Sequence, residues 1–94
     1  MSKKMDFSKF KKSTTAVWGG EGDLNVSGAV TSPIVNSVAF AYNDVDHWHE
    51  VSLGKAEGYI YSRNTNPTVA VLEEKIRLLE GAEAATSFAT GMAA

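Results

Sequence analysis

No cysteine occurs among the 94 residues. Disulfides and thiolate metal sites are therefore excluded, and the absence fits a reducing compartment. No apolar run reaches the length of a signal-peptide core or a transmembrane helix. A cytoplasmic protein with no membrane partner is the expectation. Neither charge sign dominates: the net charge of −2 makes no general case for nucleic acid. The glycine-rich patch at Gly19, Gly20 and Gly22 has neither GxGxxG nor GxxxxGK[ST] spacing, which leaves a loop rather than a nucleotide site. Histidine is scarce, with two in the chain. His47 and His49 lie near Asp46 and Glu50, which invites zinc, but positions i and i+2 do not face each other on a helix. No third ligand follows at convincing spacing, so no metal is expected, and the pair reads as surface histidines beside a packing Trp48.

What is present is ordinary for a folded chain. Hydrophobic content is 44% and charged content 21%, close to globular averages. The length allows one domain at most, with a modest core. Charge is unevenly placed: Lys3, Lys4, Lys9, Lys11 and Lys12 against Asp6 give the first twelve residues +4, leaving −6 for the remainder. Such an arm reads as a solvated terminus or a subunit contact, with nucleic acid or acidic lipid the weaker alternative. Phe7 and Phe10 allow a short amphipathic turn within it.

Thr14, Thr15, Ala16, Val17 and Trp18 are β-prone and predict a short extended piece before the glycine loop. Residues 25–42 mix small, β-branched and aromatic side chains, and Pro33 argues against a central strand there. Its even-numbered apolar residues from Val26 to Tyr42 share one face if the run is extended. The segment reads as one lying along another surface. Asn43 and Asp44 can cap a helix starting near Val45, which the glycines at 54 and 58 then end.

Residues 58–94 organise the rest. If residues 59–63 are extended, Tyr59, Tyr61 and Arg63 project to one side, about 6.5 Å between successive members. A guanidinium fork and a phenol at that spacing can grip a phosphate dianion. An edge strand of amphipathic side chains accounts for the same spacing equally well. Asn66 and Pro67 open the clearest helix, asparagine as N-cap and proline at the first helical position. Val69, Leu72, Ile76 and Leu79 form an apolar stripe, Glu73 can pair with Arg77, and Gly81 suits a left-handed cap. The stripe needs a partner surface that this chain supplies little of. The small apolar residues 84–89 fit a buried strand. Thr90, Gly91 and Met92 then turn toward a helix, the arrangement that offers bare N–H groups to an anion. That helix stops after barely one turn, so the expectation is the front of a larger protein.

Taken jointly, these motifs resemble a known family. Tyr61, Ser62 and Arg63, then Asn66, Pro67 and Thr68, then Leu72 and Glu73, then Leu79, Glu80 and Gly81, then Gly91, Met92, Ala93 and Ala94 are similar to the opening part of the pyridoxal-phosphate-dependent enzymes of Cys/Met metabolism. The group comprises cystathionine γ-synthase, cystathionine γ-lyase, methionine γ-lyase and O-acylhomoserine sulfhydrylase. A weaker match runs upstream from Thr15 and Ala16 through Gly19, Gly20 and Pro33 to Phe40, so the resemblance covers about residues 14–94.

The resemblance implies an α/β fold-type-I enzyme, of which this chain holds the N-terminal arm and the first elements of the large domain. Residues 1–57 would be the arm and subunit-clasping region, and 58–94 the start of the cofactor-binding domain. It implies a homodimer or homotetramer acting on an amino acid. Tyr61 and Arg63 match residues that reach the cofactor phosphate of the neighbouring identical subunit. Gly91 and Met92 match the turn whose backbone binds the phosphate within its own subunit. Thr90 departs mildly from the serine frequent at its position. The family's lysine, its acid beside the pyridine nitrogen and its stacking aromatic find no matching motif here, so no catalytic residue is assigned, and Lys55 and Lys75 read as surface residues. The implied chemistry is γ-elimination or γ-replacement, with sulfhydrylase activity or a non-catalytic oligomerisation module as alternatives.

Overall fold

The computed structural model describes residues 6–23 and 26–94. Lys3 and Lys4 of the basic arm, and Asn25 at the head of the extended segment, lie outside the described residues. The chain divides into two units, Met1–Ile34 with Thr68–Ala94, and Val35–Pro67.

In the first unit the described part of the arm holds a 3-10 turn, Phe7–Lys9, capped by Asp6, whose side chain accepts from the Ser8 N–H at 3.0 Å. Phe7 and Phe10 meet edge to face at 5.6 Å. Helix α1 spans Lys12–Trp18. The extended reading of residues 14–18 is thus corrected, and the cause is tertiary. Gly19 ends the helix by donating to the Thr15 carbonyl at 2.8 Å. A Cβ on Gly20, at φ +77°, would stand 2.9 Å from the Val71 carbonyl oxygen, and one on Gly19 would stand 3.2 Å from Leu78. Two glycines therefore let the end of α1 lie directly on the later helix, and that contact outweighs a β propensity worth at most about 1 kcal/mol. The predicted glycine loop follows, with a 3-10 turn at Glu21–Asp23.

That later helix, labelled α3, spans Pro67–Glu80. It starts at the expected proline and stops where Gly81 takes φ +66°. The Gly81 N–H reaches the Leu78 carbonyl at 3.3 Å and the Ala82 N–H reaches the Arg77 carbonyl at 3.0 Å, the paired closure of a Schellman cap. Lys12 Nζ also donates to the Leu79 carbonyl, bringing a cation to the negative end of the helix. The side of α3 that meets the arm carries Val71, Glu74 and Leu78. Of the stripe read from the sequence, Val69, Leu72 and Ile76 stay exposed.

Two further details of α3 depart from expectation. Arg77 pairs with Glu74, at 2.7 and 2.8 Å, instead of Glu73. Glu73 turns to Ser87. Lys75 is half-buried and bonded: it sits against Glu21 at 3.3 Å and donates to the Val17 carbonyl at 3.2 Å. Residues 84–89 are not a buried strand. Ladder bonds require a neighbour, none pairs with them among the described residues, and Phe88 remains 55% exposed.

In the second unit, helix α2 spans Val45–Ser52, with the Asp44 side chain accepting from the Asp46 N–H at 3.0 Å. The cap and start match the sequence reading. Val51 is buried, the one buried hydrophobic residue among those described. Trp48 is exposed, which corrects its reading as a packing residue, and His47 meets the Tyr42 ring edge-on at 5.1 Å. The extended stretches on either side of α2 touch through one antiparallel bridge, Ala39 with Tyr61. Its backbone bonds run from the Phe40 N–H to Ile60 at 3.1 Å and from the Ser62 N–H to Val38 at 2.7 Å.

Candidate functional site

The bridge decides how Tyr61 and Arg63 are presented. The chain bends at Ile60, pairs at Tyr61 and turns at Ser62, Arg63 and Asn64. The turn closes through the Asn64 and Thr65 N–H groups, both on the Tyr61 carbonyl, at 3.0 and 3.1 Å. An alternating strand through Arg63 is therefore not formed. The turn brings Tyr61 and Arg63 closer than alternation would, and the guanidinium carbon lies 4.9 Å from the centre of the Tyr61 ring.

The approach to this corner is held by Tyr42. Its hydroxyl donates to the Tyr59 carbonyl at 2.8 Å and accepts from the Tyr59 N–H at 3.1 Å. Gly58 leaves room for it: a Cβ there would stand 2.5 Å from that oxygen. Beyond the corner, Asn66 is buried and donates to the Val35 carbonyl and to Ser62 Oγ, each at 3.1 Å. Ser62 Oγ in turn donates to the Ser37 carbonyl. These supporting residues escaped the sequence reading because their partners are backbone carbonyls distant in the chain. The spacing of Ser62 and Asn66, four apart, was the one local hint.

Arg63 and Tyr61 are exposed, and among the described residues neither the guanidinium nor the phenol is taken up by a hydrogen bond or ion pair. A free cation beside a free hydroxyl is suited to an anion with several acceptor oxygens.

Gly91 and Met92 belong to the other unit. Residues 91–93 form a turn, and the Ala93 N–H donates to Thr90 Oγ1 at 3.1 Å. This is helix-capping chemistry, in which the side-chain oxygen takes the third N–H and leaves the first two, those of Gly91 and Met92, without an intrahelical partner. A Cβ on Gly91 would meet nothing within 4 Å, and Met92 is 98% exposed. The segment leading into the turn is tied to α3 by Glu73, whose carboxylate accepts from the Ser87 N–H at 2.7 Å and Oγ at 2.8 Å. The structure thus brings Tyr61 to Arg63 and Gly91 to Met92, each pair within its own unit.

Residues 13–94 match the family described as Cys/Met metabolism PLP-dependent enzyme. The chain belongs to this family. It is 35% identical to an L-methionine gamma-lyase of Porphyromonas gingivalis over 98% of its own length and 23% of that protein. It is 37% identical to a chloroplastic cystathionine gamma-synthase of Nicotiana tabacum, over 96% of its length and 17% of that protein. A sulfhydrylase-like protein of Epichloe uncinata is 41% identical over 74% of the chain and 15% of that protein. The chain therefore spans about a fifth of the length of these curated relatives.

The cofactor of this family is pyridoxal phosphate. The residues present fit one end of that molecule. A phosphate monoester asks for cationic and N–H or O–H donors, and Arg63, Tyr61 and the Gly91 and Met92 amides are of that kind. Lys75 is not offered to the aldehyde end, since it is held by Glu21 and Val17. Among the described residues no three histidine or acidic side chains gather as a metal site, and no helix is long and apolar enough to cross a membrane.

Proposed function

We propose that this chain is the N-terminal, cofactor-anchoring part of a pyridoxal-phosphate-dependent enzyme that carries out γ-elimination or γ-replacement on a homoserine-derived or sulfur-containing amino acid. Tyr61 and Arg63 serve the phosphate of the cofactor held by the neighbouring identical subunit. The Gly91 and Met92 amides serve the phosphate within their own subunit. Residues 1–57 are the arm and clasp and residues 58–94 open the α/β fold-type-I domain, in a cytoplasmic homodimer or homotetramer. The exposed stripe of Val69, Leu72 and Ile76 supports this reading, since a completed domain supplies the surface such a stripe needs.

The single observation that carries the proposal is the unspent Arg63 guanidinium stacked on Tyr61. When bound, the cofactor supplies the electron sink; this chain's residues supply its anchorage and orientation. The Arg63 fork balances phosphate charge and fixes direction, the phenol adds a donor at a set angle, and the amides add two more.

Arg63→Ala in the complete protein tests this. Loss of a charge-assisted bond is worth about 1.5–3 kcal/mol, so cofactor affinity falls roughly ten- to a hundredfold, read as loss of cofactor absorbance on dialysis. Unchanged retention would refute the anchor. The sulfhydrylase-like relative favours a second reading, O-acylhomoserine sulfhydrylase. Assay against O-acetylhomoserine, O-succinylhomoserine, cystathionine and methionine separates the two.

A further inference from the structure

We propose that Asn66 is a positioning residue which, acting through Ser62, sets how tightly the Tyr61–Arg63 corner holds a phosphate monoester. This rests on the phosphate-anchoring reading above and extends it to residues that never touch the ligand.

Ser62 is the middle residue of the corner, and it is fastened at both backbone and side chain. Its N–H donates to Val38 at 2.7 Å and its hydroxyl to the Ser37 carbonyl. The hydroxyl also accepts from the Asn66 carboxamide at 3.1 Å. The same carboxamide also donates to the Val35 carbonyl, again at 3.1 Å. Asn66 is 8% exposed, one of two buried polar residues among those described. A buried amide is kept only where its hydrogen bonds are made, and these bonds span 31 and 4 residues of chain. Asn66 thus ties the corner to the segment that carries the opposite side of the Ala39–Tyr61 bridge.

The division of labour is clear in the bonding. All four of these bonds end on Ser62 or Asn66, and none consumes the Tyr61 hydroxyl or the Arg63 guanidinium. The base of the corner is fixed and its two donor-bearing arms are free, with Arg63 further restrained against the Tyr61 ring. A two-armed anion grip works only when its base does not wander, because ordering it at the moment of binding subtracts from affinity. Ser62 and Asn66 therefore govern phosphate affinity without contributing a donor to the phosphate.

Asn66→Asp keeps the shape but replaces the donating NH2 by one acceptor oxygen, which then faces the Val35 carbonyl and Ser62 Oγ. Ser62→Ala removes the shared hydroxyl with minimal change in volume. Both are made in the complete holoenzyme, stripped of cofactor, and titrated separately with pyridoxal phosphate and with pyridoxal. Pyridoxal phosphate affinity is expected to fall about tenfold in each, the scale of losing a supporting shell, with pyridoxal affinity within about twofold of the parent. Combined with Arg63→Ala, Asn66→Asp adds less than its own separate loss, since one of the two arms it positions is already gone and only Tyr61 is left. A parallel fall in affinity for both ligands overturns the proposal in favour of a general structural role. Unchanged pyridoxal phosphate affinity, or additive losses in the double variant, overturns it as well. If Asn66→Asp does not fold, Ser62→Ala decides by the same criteria. Should Arg63→Ala alone leave pyridoxal phosphate affinity intact, the anchoring reading itself fails and this inference with it. A loss at Arg63 without one at Asn66 or Ser62 defeats only the inference.

Discussion

Glu73 and Glu74 are adjacent carboxylates on one helix, yet they do different work. Glu74 takes both nitrogens of a guanidinium fork, at 2.7 and 2.8 Å, and holds Arg77 where its third contact reaches the Ala82 carbonyl at 3.0 Å. That arrangement braces the end of α3. Glu73 is left to accept twice from Ser87, on the path to the Gly91 turn. The expected effect of Glu73→Ala is therefore local. Amide exchange at Ser87 and through the following turn accelerates while α3 stays protected, at a cost of about 1 kcal/mol, since the bonds are charge-assisted but solvent-exposed. Glu74→Ala instead speeds exchange at Ala82. Equal protection of Ser87 in both variants would show that Glu73 does not hold that segment. The sequence offered Glu73 with Arg77 as a pair because helical spacing permits it. Glu74 wins by presenting both oxygens to the fork, a choice that spacing does not encode.

Among the elements, α2 and α3 were legible because their ends are decided locally. Asp44 caps one, Pro67 starts the other, and Gly81 finishes it. Helix α1 was not legible, since Thr14, Thr15 and Val17 favour extension and the deciding contact, Gly19 and Gly20 upon Leu78 and Val71, lies more than fifty residues away. The same distance hid the link between arm and helix through Lys75, Glu21 and Val17. Of the candidate site, the residue types at Tyr61, Arg63, Gly91 and Met92 could be read from the chain. The turn at Ser62 and its supports could not, because they depend on carbonyls of residues 35–38.

The arm link carries a pH dependence. Hydrogen bonding from Ser32, and then the Lys75 ammonium, hold the Glu21 carboxyl below its ordinary value against the opposing effect of burial. The unfolded form then binds a proton at higher pH than the folded one. The contribution of the link is complete above the ordinary glutamate value, about pH 4.3, and is lost as pH falls through the lower folded value. In the complete protein, faster amide exchange at Gly19, whose N–H closes α1 on the Thr15 carbonyl, is expected to report release of α1 from α3 in that acid window. Glu21→Gln should flatten the transition. A transition unmoved by Glu21→Gln would assign it to other carboxylates.

At the scale of the molecule, the composition and the packing point in different directions. A hydrophobic content of 44% is enough for a core, yet Val51 is the one buried hydrophobic among the described residues. Ile34 is 78% exposed, Val30 69%, and Leu72 and Phe88 more than half. Burying a side chain of this kind is worth about 1.5–3 kcal/mol, and ordering each residue costs a comparable amount of backbone and rotamer entropy. With so few such terms realised, the entropy of the chain is not offset from within. The 94 residues taken alone are therefore expected to bind an apolar dye such as ANS strongly and to melt without a cooperative transition, while α3 keeps partial helicity through its own caps. The same residues in the complete assembly should bind little dye and melt cooperatively. Calorimetry and dye titration on both forms measure the difference. A sharp, dye-free melt of the isolated chain would mean that its exposed apolar surface needs no partner, and would remove the support that the stripe on α3 lends to a larger enzyme.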